Sequence, residues 1–299
     1  MVSTSSTHGP ESWGLTEGDS LTTELTAMRL LGGGESYEAY LAFDDITYSP
    51  VVVKVLRPNL VGSSSSQRGH RREVEALSVI NHPVVVRGLR HELDGPRPHV
   101  VLENIDGPRL STLIRRYGPL QEQQYLPLAI DVAAALHYPR HIGYVHLDIK
   151  PSNIIMGAPA RLIDLSVARR LEATQALTYA IGTDAYMSPE QCDPPTTGTP
   201  GHASDVWGLA ATLFEAIAGY PPFDEGEPRA VGLTDRFPQV GSEPYELPDR
   251  VPEDIAKVVY AGLAKDPASR PLPNEFAEAL EPALARQPRG RLAGFKVRG

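Results

Sequence analysis

The stretch HLDIKPSN, residues 146–153, decides how this chain is read. Asp148, a carboxylate able to accept a proton, stands two residues before the cation Lys150 and five before the amide Asn153. Sixteen residues after Asp148, Asp164 closes the apolar pair Leu162-Ile163. A lone Asp or Asn in a loop is ordinarily a turn former. Upstream, however, lie the glycine run Gly32-Gly33-Gly34 and Lys54, the one charge in the apolar run VVVKVL (51–56). An ammonium buried there is costly unless an anion meets it. With these residues in the same chain, the turn-former explanation becomes strained.

Outward from that stretch, the first hundred residues are strand-like and the rest helical. An apolar run from about residue 28, the glycines, Tyr37 to Phe43, Val51 to Leu56 and His99 to Leu102 read as strands. The Gly-Ser stretch 62–66 reads as a flexible loop. Val74, Leu77 and Ile80 have helical spacing within 67–80, which Asn81-His82-Pro83 ends. Residues 120–141, 204–219 and 252–265 carry helical apolar patterns. A small strand-rich lobe followed by a larger helical lobe, an α+β class, is the expectation. Residues 1–20, rich in Ser, Thr and Gly, read as a disordered arm. They lack the basic start and apolar core of a signal peptide. Residues 286–299 read as a basic, solvated tail.

The chain has 299 residues, 28 basic and 37 acidic, for a net charge of −9, so nothing overall draws it to nucleic acid or anionic membrane. Its 41% apolar and 22% charged content is that of a globular protein with a substantial core. The most apolar stretches, 126–136 and 206–218, are broken by Asp131 and Glu215 and are too short to span a bilayer. The single cysteine, Cys192, forbids an internal disulfide and fits a reducing, cytoplasmic setting; it reads as an ordinary loop residue.

Eight segments in order resemble those of Hanks-type protein kinases, closest in texture to the eukaryotic-like serine/threonine kinases of bacteria. LGGGESYEAY (31–40) resembles the phosphate-covering loop, VVVKVL the strand with the nucleotide lysine, and RREVEALSVINHP (71–83) the C-helix. HLDIKPSN resembles the catalytic loop, LIDLS (162–166) the metal motif and GTDAYMSPE (182–190) the end of the activation segment. SDVWGLA (204–210) and LAKDPASRP (263–271) resemble the F-helix and the closing motif. One such match is weak, but eight in family order are specific. The resemblance covers about residues 21–285 and implies a bilobal kinase fold, its lobes dividing near 103/104.

It also implies roles. Lys54 would hold the α- and β-phosphates of ATP and pair with Glu73, which stands eight residues before the Asn81-His82-Pro83 turn. Asp164 and Asn153 would hold Mg²⁺, or Mn²⁺, through oxygen ligands suited to a hard cation. Asp148 would accept the proton of the substrate hydroxyl, and Lys150 would steady the γ-phosphate. Leu31, Gly32, Gly33, Gly34, Ala39, Val52, Leu102, Glu103 and Ile105 would line the nucleotide site. Lys150, two after the base, and Thr183 follow the serine/threonine pattern, so protein Ser/Thr hydroxyls are the implied acceptors, including the kinase's own. Glu190 with Arg270, and Asp205, would be structural braces.

Four departures stand out. Leu147 replaces the arginine that usually precedes the base, so activity should depend little on phosphorylation at Thr174 or Thr178. The metal motif reads Asp164-Leu165-Ser166, where Ser166 lacks glycine's backbone freedom. Tyr37 stands where a third glycine is usual, and Glu35 lies at the loop tip. Ala39 and Val52 look like a size exchange that keeps the adenine pocket's volume. These departures keep a second reading open, a pseudokinase acting as a nucleotide-binding scaffold. A small-molecule kinase is disfavoured by Ser188-Pro189-Glu190 and Arg270.

Overall fold

The computed structural model describes residues 10–288. The strand-like runs form one antiparallel sheet from β1 (Leu25–Gly33), β2 (Tyr37–Asp44), β3 (Ser49–Leu56), β4 (Gly88–Glu92) and β5 (His99–Glu103), ordered β1-β2-β3-β5-β4. β2 alternates strictly: Glu38, Tyr40, Ala42 and Asp44 are buried, while Tyr37, Ala39 and Leu41 are half-buried on the other face. The buried face of β2 joins Leu21, Leu25, Val51, Val53, Val55 and Val101 in one core. Register pairs Ala39 with Lys54 and Leu41 with Val52. Lys54, Ala39 and Val52 therefore share the other face.

Between β3 and β4 runs α1 (Ser64–Val79), with His70, Glu73 and Ala76 buried. Its start corrects the expected loop at 62–66. Ser63 caps the helix by accepting from the Ser66 amide, so the serine run opens the helix instead of leading up to it.

The helical part follows as α2 (Leu110–Tyr117) and α3 (Glu122–His141), then the short pairs β6 (Tyr144–Val145) with β9 (Arg169–Arg170), and β7 (Ile154–Ile155) with β8 (Arg161–Leu162). Next come α4 (Pro189–Cys192), α5 (Pro194–Thr197), α6 (His202–Ala218), α7 (Leu233–Arg236), α8 (Glu253–Gly262) and α9 (Pro273–Ala285). The apolar faces of α3, α6, α8 and α9 meet around Trp207 and Phe214, both fully buried. Gly208 lets α6 approach the 146–153 segment: a Cβ there would lie 3.0 Å from the Ile149 side chain. The Pro- and Gly-rich segment 224–250 forms only α7 and one 3₁₀ turn.

One further expectation changes. Within residues 10–20, expected in a disordered arm, Trp13 and Leu15 are half-buried against the sheet's core, and the Trp13 indole N–H donates to the Leu56 carbonyl at 2.9 Å; the other residues are exposed. Aromatic burial outweighs the polar composition there. Residues 1–9 of that arm and 289–299 of the basic tail lie outside the described residues. Arg286 ends α9 and pairs with Asp254 at 2.7 Å. Among the described residues, no helix is long and apolar enough to cross a membrane.

Candidate active site

Lys54 sits mid-strand on β3, where register fixes the face it presents. Its ammonium lies 2.5 Å from a Glu73 oxygen on α1 and 2.9 Å from Asp164 Oδ1. Burial alone would lower the pKa of this amine, but the Asp164 and Glu73 carboxylates outweigh burial and hold it above its ordinary range. Asp164, its side chain about a third exposed, is held well below the usual carboxylate range by Lys54 and by its bonds to Ser166. The lysine therefore stays charged, and the acid beside it stays ionised.

The second cluster lies in 146–153. Thr183 donates to Asp148 Oδ1 at 2.7 Å and accepts from Lys150 at 2.5 Å. Lys150 Nζ also lies 2.8 Å from Asp148 Oδ2. Both donor contacts of the Asn153 amide go to Asp148, at 2.9 Å to its carbonyl and 3.0 Å to Oδ2. The base candidate is thus aimed by three neighbours drawn from two separate segments. Asp205, buried on α6, accepts from the His146 and Leu147 amides at 2.8 and 2.7 Å and so fixes the backbone beneath it. Burial pushes the Asp205 carboxyl up to about 7, against the pull of those two amides.

Leu147 and Asp164 both take left-handed backbone, with φ of +64° and +71°. Such positions are strained for residues with side chains and cluster at functional sites. Ser166 is not at a positive φ in this state, so the missing glycine of the metal motif costs nothing here. Leu147 is 2% exposed and packs with Val145, Leu177 and Ile181, against which Val167 and Leu171 also lie. An apolar cluster therefore joins the catalytic loop to the activation segment at the position where related kinases usually carry an arginine.

The residues expected around a nucleotide are only partly brought together. Leu102, Val52 and Ile105 share an apolar cluster with Val86, Val100 and Ile163. Ala39 lies on the same face of the sheet as Val52 and Lys54. Gly32, Gly33 and Gly34 follow Leu31 across the bend from β1 into β2, with the Gly34 amide donating to the Tyr37 carbonyl at 3.0 Å. Glu103 is the exception. Its carboxylate pairs with Arg87 and Arg161, so it offers the cleft only backbone.

The donor set suits a hard cation. With both Asn153 donor contacts on Asp148, the Asn153 Oδ1 is left over. Asp164 gives Oδ1 to Lys54 and to the Ser166 amide, which leaves Oδ2. Among the described residues, no group of three or more His, Cys, Asp and Glu could hold a metal by itself. One carboxylate and one amide oxygen is a set that Mg²⁺ completes with phosphates and water.

Some residues escaped sequence reasoning. Gln191, 2% exposed, donates to the Leu147 and Ile181 carbonyls at 2.8 and 2.7 Å, pinning the activation segment to the catalytic loop. The Tyr37 ring covers the Lys54 ammonium at 5.1 Å, a cation–π contact. Gln191 carries no local signal, since its partner lies 44 positions away in the chain. Tyr37 could have been found from its even spacing with Ala39 on β2. Cys192 is buried, and burial pushes its thiol well above the ordinary range, as suits an inert residue.

Comparison with known proteins gives a match between residues 25–280 and the family model described as protein kinase domain. The chain is 32% identical over 253 residues to serine/threonine-protein kinase PknB of Mycobacterium leprae, covering 81% of this chain and 40% of that protein. It is 31% identical over 258 residues to the probable serine/threonine-protein kinase CE0033 of Corynebacterium efficiens, covering 80% and 38%. It is 28% identical over 269 residues to serine/threonine-protein kinase PrkC of Bacillus subtilis, covering 88% and 40%. The chain thus accounts for about two fifths of the length of these relatives.

Proposed function

The chain belongs to the protein kinase domain family, and from that premise we propose that it transfers the γ-phosphate of ATP to serine or threonine hydroxyls of proteins, its own included. The observation that carries this reading is the convergence on Asp148 of Thr183, Lys150 and Asn153, beside a Lys54 held between Glu73 and Asp164.

Phosphoryl transfer asks chiefly for alignment and for cations around the moving group. In this reading Asp148 orients the acceptor hydroxyl and takes its proton. Lys150, bonded to the same carboxylate, presents positive charge to the γ-phosphate. Lys54 binds the α- and β-phosphates, and Glu73 keeps its ammonium in place. Asn153 and Asp164 would hold Mg²⁺, with Mn²⁺ the alternative; the bound ion neutralises phosphate charge. Gly32 to Gly34 bring backbone amides toward the phosphates, and Ala39, Val52, Leu102 and Ile105 enclose the adenine. Residues 21–285 are the catalytic unit, acting in the cytoplasm, where ATP is plentiful.

The test is incubation of purified protein with labelled ATP, Mg²⁺ or Mn²⁺ and a generic protein acceptor, beside Asp148→Asn and Lys54→Met. Label in the wild type should fall by a factor on the order of 10² or more in both variants, as expected for loss of a base or of phosphate alignment. Absence of label in every sample would favour the scaffold reading.

A further inference from the structure

We propose that residues 11–15 form a strap that fixes the root of the glycine-rich loop through Arg57, so that the grip on the nucleotide's phosphates depends on a segment outside the cleft. This rests on the kinase reading above.

Arg57 directly follows β3 and is 8% exposed. Its guanidinium reaches three partners. Nε donates to the Gly34 carbonyl, inside the loop, at 2.8 Å. Nη1 donates to the Glu11 carbonyl at 3.0 Å and lies 3.3 Å from Glu38 Oε1. Nη2 sits so close to Gly33 that a Cβ there would be 3.0 Å from it. The Arg57 amide also donates to the Ser36 carbonyl at 3.0 Å. One side chain thus fills the bend that would cover the phosphates.

The strap grips the same group from outside. The Trp13 indole N–H donates to the carbonyl of Leu56, the residue before Arg57, at 2.9 Å. The Trp13 amide donates to Glu38 Oε2 at 3.1 Å, beside the Tyr40 hydroxyl at 3.0 Å. Glu38 is 2% exposed, so these donors and Arg57 are what satisfy its carboxylate. Arg97 stacks on the Trp13 ring at 4.9 Å and donates to the Ser20 and Leu21 carbonyls, closing the far side. A guanidinium is a rigid planar fork, so a partner fixed on one edge restricts the other. A buried ion pair loses most when one of its supports is taken away. Without the strap, Arg57 loses the Glu11 carbonyl, Glu38 loses the Trp13 amide, and water can reach both. The adenine pocket shares none of these contacts, so the loss should fall on phosphate binding alone.

Calorimetric titration of the full chain with ATP plus Mg²⁺, and separately with adenosine, tests this. The samples are wild type, Trp13→Ala, Arg57→Met, their double variant, and Arg90→Met as a same-lobe control. ATP should bind about fivefold more weakly to each single variant, the worth of roughly one hydrogen bond. The double variant should be no weaker than the worse single, because both cut the same chain of contacts. Adenosine affinity should be unchanged throughout, and Arg90→Met should alter neither ligand. Equal weakening of ATP and adenosine, strictly additive singles, or unaltered ATP affinity would overturn the strap. If Trp13→Ala does not fold, Trp13→Phe, which keeps a ring and loses the indole N–H, answers the same question by the same ratio. A wild type that binds neither ligand would remove the kinase reading and the strap together. A wild type that binds both, with every variant alike, would remove the strap only.

Discussion

Leu147 has an amide bound by Asp205, a carbonyl bound by Gln191 and a side chain buried against Leu177 and Ile181. Its left-handed backbone costs on the order of 1–3 kcal/mol, and that contact set on every side is what makes the strain tolerable. Gly182 allows the arrangement, since at its φ of +121° a Cβ would lie 2.8 Å from the Leu147 carbonyl oxygen. Thr174 is itself buried and donates to the Leu171 carbonyl at 2.7 Å, so it is not poised as a phosphate acceptor. The Thr174→Ala, Thr178→Ala double variant should therefore keep its labelling rate within about twofold, because the Thr174 hydroxyl serves the Leu171 carbonyl and not the groups around Asp148. A tenfold loss in the labelled-ATP assay would show that the segment does need a phosphate. The residue types at this site were readable from sequence, because each occupies a fixed place in an ordered series. Gln191 was not, since its contacts exist only once distant segments meet; the spacing of Tyr37 with Ala39 gave its face of β2, and only strand pairing brought it over Lys54.

At the scale of elements, β2 was legible as an aromatic and apolar run, Tyr37 to Phe43, which suits a strand; its strict alternation of burial emerged with the structure. The start of α1 was not, because a Gly-Ser run signals a loop until one serine is seen to cap a helix. The sheet also has a tie that alternation cannot reveal. Asp44, at the end of β2 and with its side chain fully buried, is bidentate with Arg90 on β4 at 2.6 and 2.7 Å. The Arg90 bonds outweigh burial and, with Thr47 and Ile46, hold the carboxyl far below its usual range. The stability this gives is present above the ordinary Asp pKa of about 4 and is lost as pH falls below it, where the unfolded chain takes up a proton first. Arg90→Met should cost about 1.5–3 kcal/mol at pH 7, as for a hydrogen bond to a charged group. The gap from wild type should narrow as pH falls from 7 to 3. Thermal melts at those two pH values decide it, and a gap that holds constant would mean Asp44 is not the group responsible.

For the whole molecule, a long-range tie joins Glu190 and Arg270, 80 residues apart and almost wholly buried. Arg270 bonds both Glu190 oxygens, at 2.6 and 2.9 Å, and lies over the Trp207 ring at 5.0 Å. Ser204 donates to the same carboxylate at 2.7 Å. Arg270→Met would leave a buried carboxylate short of its counter-ion and should destabilise the fold by about 3–5 kcal/mol. Urea unfolding measures this directly, and a loss below ~1 kcal/mol would make the pair dispensable. The sequence by itself determined the family and the two-part layout and named the polar residues of the candidate site, because motif order and spacing survive without coordinates. Tertiary structure alone decided what surrounds Leu147, the neighbour of Asp148: an apolar cluster with Leu177 and Ile181, and a carbonyl held by Gln191. It alone joined Trp13 to the glycine loop through Arg57. The physical reason is that both depend on contacts between residues tens of positions apart, and local pattern carries no record of which distant groups will share a buried space.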